Sequence, residues 1–150
     1  MKHSNNQWIV VRNSKIHNKG VFAKKGIPKG TYIIQYIGRK ITNKEADEIS
    51  EKEMKKGIVY LFGLNKRYTI DGNTPKNYAK YINHACETNA ESVNDSGEIW
   101  FVATRNIKKG EEILYDYCLE TDDPEDHPCR CGSKNCKGHM VEIKKRRKNI

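Results

Sequence analysis

Cys129, Cys131 and Cys136 place three thiols within eight residues of a tight turn, CRCGSKNCKG. Three thiols so spaced fix one corner of a tetrahedron, the geometry of a closed structural zinc site, and Gly132 and Gly138 let the backbone wrap it. The fourth ligand must come from elsewhere in the chain. Cys86 is the choice, with His127 and His139, which flank the cluster, as substitutes if the fold holds Cys86 away. One such ion would be structural, ordering a segment with almost no apolar content. Cys86 itself lies in residues 81–90, YINHACETNA, where Asn83, His84, Glu87 and Asn89 crowd into ten residues. Only Tyr81, Ile82, Ala85 and Ala90 look able to face a core. A loop tied by Cys86 to a metal-bound C-terminus implies an active site between the two.

The elements that must hold these residues belong to a chain of 150 residues, one domain by length, with a hydrophobic fraction of only 36%. A thin core is expected, and metal stapling would help it. Net charge is +9, partly local to the run KKRRK at 144–148. That excess points to acidic partners, with weak nucleic-acid contact through the tail as one outcome. The first seven residues are polar after Met1, so no signal peptide is expected, and no run is long enough to span a membrane. Five cysteines without an export signal favour a metal over disulfides. The leftover Cys118 reads as a small buried residue closing a strand.

The patterning predicts a mostly-β fold with short helices. Strands are expected at 8–12, 21–23, 31–37, 98–104 and 112–117, and a hairpin at 59–62 and 66–70. A surface helix is expected at 43–56, with Thr42 and Glu45 forming its capping box, Ala46, Ile49 and Met54 its apolar stripe, and Gly57 its end. A single helical turn is expected at 75–79. VFAKKGIPKGTYI from Val21 is echoed by FVATRNIKKGEEI from Phe101, with Ala23 and Ala103, Ile27 and Ile107, Gly30 and Gly110, and Ile33 and Ile113 each eighty residues apart. Two similar β units packed in one core are the simplest reading.

Taken in order, these segments resemble the SET-domain family of protein lysine methyltransferases. The resemblance is carried by His17-Asn18-Lys19-Gly20-Val21-Phe22-Ala23, Tyr36-Ile37-Gly38-Arg39, Tyr60-Leu61-Phe62, Asp71-Gly72, the stretch 81–90, Gly110-Glu111-Glu112-Ile113-Leu114-Tyr115-Asp116-Tyr117, and the cysteine turn, similar to a post-SET segment. It implies a β-clip-like fold of several small sheets with a knotted C-terminal segment and a zinc-binding cap. The implied divisions are a SET domain at 8–118, a post-SET segment at 119–140 and a basic tail at 141–150. Asn18 stands where the family often has glycine, and asparagine tolerates left-handed backbone best among the other residues. Ala85 stands where serine is common. With seven residues before Trp8, no cysteine-rich segment preceding the domain is expected, which makes a minimal enzyme plus cap.

The resemblance further implies S-adenosylmethionine as methyl donor, contacted by Lys19, Gly20, Val21 and Phe22 through backbone and by Tyr81, Asn83, His84 and Tyr117. Arg39 is a candidate for the cofactor carboxylate, or else a solvated side chain. Tyr60, Tyr115 and Tyr117 would line a lysine channel, with Tyr117 as the catalytic tyrosine, and Tyr115 would limit the product mainly to mono-methylation. The zinc ligands are Cys86, Cys129, Cys131 and Cys136. The implied partner is a basic protein or histone-tail peptide, met by acidic residues 122–126 with Glu87 and Glu91. The implied location is cytoplasmic in a microbe, or nuclear and on chromatin if delivered to a host cell. The alternative is a non-catalytic, zinc-stapled module that binds peptide or nucleic acid, in which Tyr117 would be dispensable.

Overall fold

The structure, a computed structural model, describes residues 6–16, 18–54, 60–116 and 136. Tyr117, Cys118, Cys129, Cys131, His127, His139, the acidic run and the basic tail lie outside the described residues, as do His17 and Gly57.

Among the described residues ten short strands form four small sheets, joined by one α-helix. The β-branched run of β1 (Ile9–Asn13) pairs antiparallel with β2 (Lys19–Ala23), Ile9 opposite Ala23 and Asn13 opposite Lys19. The reversal is closed by the Ser14 N–H donating to Asn18 O at 2.9 Å, and Asn18 takes a positive φ of 20°. Asparagine is among the few non-glycine residues that take such a φ readily, so the turn closes on it.

β3 (Tyr32–Tyr36), β8 (Ala90–Asp95) and β9 (Glu98–Ala103) form a second sheet in the order β3-β9-β8. β8 and β9 are joined by Ser96 and Gly97, both at positive φ (53° and 92°), the requirement of a two-residue hairpin turn that matches strand twist. The third sheet has the order β4-β6-β5, with β4 (Arg39–Thr42), β5 (Leu61–Gly63) and β6 (Tyr68–Asp71). Gly38 enters it so close to the Asp71 carbonyl that any side chain there would collide with backbone. α1 (Asn43–Met54) follows β4. Its capping box is formed, with Glu45 N–H donating to Thr42 Oγ1 at 3.2 Å and Thr42 N–H to Glu45 Oε1 at 3.4 Å. Ala46 is buried and Ile49 half-buried, so the stripe is as weak as its spacing suggests.

The eighty-residue echo is a structural pseudo-twofold. Ile27 and Ile107 pair with each other through two 2.8 Å backbone bonds. Around that pair the hydrogen bonds repeat: Gly30 N–H donates to Ala103 O as Gly110 N–H does to Ala23 O, and Ala103 N–H to Thr31 O as Ala23 N–H does to Glu111 O. Gly30 and Gly110 share φ values of 87° and 90°, which only glycine adopts cheaply. Ala23, Ile27 and Ile33 are buried in one core with Ala103, Ile107 and Ile113, around the fully buried Phe101.

Several expectations are corrected. The helical turn expected at 75–79 is a 3-10 turn at Tyr78–Tyr81. Among the described residues of the strand expected at 112–117, β10 covers only Leu114–Tyr115, while Glu112 makes a separate antiparallel backbone bridge to Phe22. The stretch 81–90 is not a solvated loop: it contains β7 (Asn83–His84) and the start of β8, and its polar Asn83, His84 and Asn89 are buried while Tyr81 is half-exposed.

Candidate active site

β7 and β10 are two residues each and run parallel, Leu114 opposite Asn83 and Tyr115 opposite His84. So short a pair needs side-chain support, and Asn89 supplies it. Its Oδ1 accepts from Leu114 N–H at 2.8 Å and its Nδ2 donates to Glu112 O at 2.8 Å. A buried amide that satisfies backbone groups on a neighbouring segment replaces the missing rungs of a ladder. The polar density of 81–90 thus serves to join distant segments.

Asn83 extends the junction to the N-terminal hairpin. Its Nδ2 donates to Lys19 O at 3.0 Å and to Glu112 Oε2 at 2.8 Å. The same carboxylate accepts from Ser14 Oγ at 2.8 and 3.0 Å. Gly20 is required at this point, since a Cβ there would lie 2.5 Å from Glu112 Oε2 and 2.9 Å from Ser14 Cβ. The start of β2, β7 and the segment leading into β10 are therefore locked together, with Lys19 O held by Asn83, Gly20 against Glu112, Val21 O bonded by Ile113 N–H and Phe22 bridged to Glu112. Glu112 and Ser14 are site-forming residues that the sequence reading missed. A glutamate next to the apolar run Ile113-Leu114-Tyr115, in a chain whose Gly20 faces it, is the signal that was available.

The His84 side chain is 2% exposed, its Nδ1 3.6 Å from Asp116 Oδ1. Its Nε2 lies 3.8 Å from Cys86 Sγ. The imidazole thus spans from β7 to the residue after β10. Cys86 is half-buried, as is Cys136, the other described thiol. A thiol beside an imidazole nitrogen suits a thiolate ligand, so the donor chemistry fits a zinc site at Cys86. Among the described residues no group of three metal-binding side chains converges. Cys129 and Cys131 lie outside them.

Aromatic side chains wall the other flank. Tyr115 packs edge-on against Phe101, centroids 4.7 Å apart, and stacks with Phe62 at 6.3 Å and 21°. Phe62 meets Tyr36 at 5.1 Å. Tyr36 Oη donates to the Tyr60 carbonyl at 2.7 Å, and Gly72 N–H donates to the same oxygen at 2.7 Å, so the backbone of Tyr60 is fixed from two sides. The ring of Tyr60 lies 5.2 Å from Lys80 Nζ, which is also 5.2 Å from the Tyr81 ring, and Lys19 Nζ is 5.6 Å from Tyr81. Tyr60, Tyr81 and Lys19 are thereby linked by ammonium–ring contacts, and Tyr60 joins through β5 to the Tyr115 wall. Arg39 is not part of this arrangement. Its guanidinium is 67% exposed and faces Asp71 at 3.8 Å. Glu87 and Glu91 are exposed.

Such a site offers aromatic faces to a cation, an apolar wall against water, and a clamped backbone segment at Lys19–Ala23. Comparison with known proteins adds to this geometry. A family model described as the SET domain matches residues 18–118. A "Histone-lysine N-methyltransferase, H3 lysine-4 specific" of Aspergillus oryzae is 37% identical over 135 residues, covering 85% of this chain and 11% of the relative. "Histone-lysine N-methyltransferase 2D" of Homo sapiens is 37% identical over 139 residues, covering 88% of this chain and 2% of the relative. A Saccharomyces cerevisiae "Histone-lysine N-methyltransferase, H3 lysine-4 specific" is 35% identical over 140 residues, 88% of this chain and 13% of the relative. The chain spans a small part, about an eighth or less, of the length of these relatives.

Proposed function

The chain belongs to the SET-domain family, and on that premise we propose that it transfers a methyl group from S-adenosylmethionine to the side-chain amine of a lysine in a protein substrate, mainly once per lysine. The substrate class is a basic, histone-tail-like peptide, as the relatives' names suggest. The observation that carries the reading is the junction of β2, β7 and β10. There Asn83 holds the Lys19 carbonyl, and Tyr115, paired with His84, packs its ring on Phe62 and Phe101.

S-adenosylmethionine would supply an electrophilic methyl on a sulfonium, and the amine must reach it neutral. A lysine has a reference pKa of about 10.4 in water, and a narrow apolar passage favours its neutral form. In this reading Tyr60 and Tyr115 line that passage, and Tyr117 directs its hydroxyl at the amine as a fixed dipole. Lys19, Gly20, Val21 and Phe22 offer main-chain groups to the donor, with Asn83 and His84 beside them. Tyr81 presents its ring at the same edge. Alignment of nitrogen and methyl carbon supplies much of the rate gain. One zinc ion on Cys86, Cys129, Cys131 and Cys136 would hold a post-SET cap over the site. Chromatin is the setting that this substrate class implies.

The test is transfer of a labelled methyl from S-adenosylmethionine to core histones. The wild-type chain should label them and the Tyr117→Phe variant should not. Equal labelling by both would remove Tyr117 from the mechanism. No labelling by either, together with no cofactor binding by calorimetry, would reduce the protein to a binding module.

A further inference from the structure

The two halves of the pseudo-twofold each end in a turn that the proposed reaction does not use. The first turn carries Lys24, Lys25 and Lys29, and the second Arg105, Lys108 and Lys109, and all six are exposed. The Ile27–Ile107 backbone pair bolts the turns together, and Lys29 N–H adds a 2.8 Å bond to Asn106 Oδ1. Lys25 and Arg105 are related by the eighty-residue spacing, as are Lys29 and Lys109. Within the two turns the one carboxylate is Glu111, held 3.0 Å from Arg105. Lys25 lies over Trp8 and donates to Gln7 Oε1 at 3.1 Å. Among the described residues no carboxylate forms an ion pair with Lys24, Lys29, Lys108 or Lys109. The result is a firm, doubly repeated cationic saddle at the end of β2 and β9. The acidic hairpin end of β9, with Asp95 and Glu98, is the opposite end of that strand.

We propose that this saddle binds the phosphate backbone of a DNA duplex. A surface of six cations against one carboxylate gains affinity by releasing condensed counterions, whatever the base sequence. Of the rings bordering the turns, Trp8 is capped by Lys25 and Tyr32 packs on Trp100, which leaves little free face for a run of unpaired bases to stack on. Ile27 and Ile107 are buried, so an acidic protein would find no apolar anchor between the charges. The five residues of β2 separate the saddle from Lys19 by roughly 15 Å. A bound duplex therefore leaves the β2–β7–β10 junction accessible.

The test needs neither cofactor nor methyl transfer. Anisotropy of a labelled 20-base-pair duplex is measured across a salt series with the full chain, with the combined Lys24→Gln, Lys29→Gln, Lys108→Gln, Lys109→Gln variant, and with a variant whose 144–148 run is glutamine. The saddle variant should bind about tenfold or more weaker at 0.1 M salt, and its salt slope should fall by about 3. Replacing the same four lysines with arginine should preserve binding and guards against a folding artefact. A saddle variant that binds like wild type, with all affinity lost in the tail variant, overturns the proposal. So does poly-L-glutamate of matched charge binding as tightly as the duplex.

Discussion

Asn83 shows how one side chain can organise a site. Its amide donates both to the Lys19 carbonyl and to Glu112. Replacing it with alanine leaves the half-buried Glu112 carboxylate and the Lys19 carbonyl each short of a donor, a loss of about 1–3 kcal/mol. Asn83→Ala should therefore weaken S-adenosylmethionine binding in calorimetry by roughly tenfold or more, while Asn83→Asp should be worse, because two carboxylates would then face each other. Wild-type affinity in Asn83→Ala would show that the Lys19–Ala23 backbone is held without it. Tyr115 makes a different prediction. Its ring is fixed by Phe101 and Phe62, so Tyr115→Phe should keep the wall and remove only the hydroxyl. The expected outcome is a product distribution shifted toward two or three methyl groups, read by mass spectrometry, and an unchanged distribution would dissociate the hydroxyl from product control.

At the scale of elements, the pseudo-twofold carries the core. Ile107 is 2% exposed and pairs with Ile27 at the centre of both β units. Ile107→Ala should cost about 2–5 kcal/mol, seen as a lower Tm, and Ile27→Ala should cost a similar amount because the environments repeat. Strongly unequal losses would show that the repeat does not share its load. This repeat was legible in the sequence because its apolar and glycine positions coincide at one spacing, and the helix start because Thr42 and Glu45 form a local motif. β8 was not legible. Its AESVND carries one half-buried apolar residue, Val93, and five of its six side chains face away from the core or are polar. An edge strand so polar gives no alternation to detect. β7 and the buried roles of Asn83, His84 and Asn89 were hidden for another reason: their partners include Lys19, Glu112, Leu114 and Asp116, 23 to 64 residues away. Local patterning cannot report such pairings. The positive φ at Asn18, by contrast, was expected from the family motif that puts glycine there and from asparagine's tolerance of it.

For the whole molecule, the family assignment and the geometry give one account in which a β core holds a junction of three strands against an aromatic wall. Cys86, 3.8 Å from His84 at that junction, is the thiol through which the proposed zinc would hold the C-terminal segment. Protein purified without chelator should contain one zinc per chain by elemental analysis, and its removal should lower both Tm and methyl transfer. Full activity in metal-free protein would separate the cap from the reaction. The central claim is methyl transfer to lysine, and intact and tandem mass spectrometry of core histones incubated with the full chain and S-adenosylmethionine tests it most directly. The account predicts the mass of a single methyl, located on a lysine side chain and absent with Tyr117→Phe. Histones left unmodified by a chain that binds the cofactor and contains its zinc would contradict it.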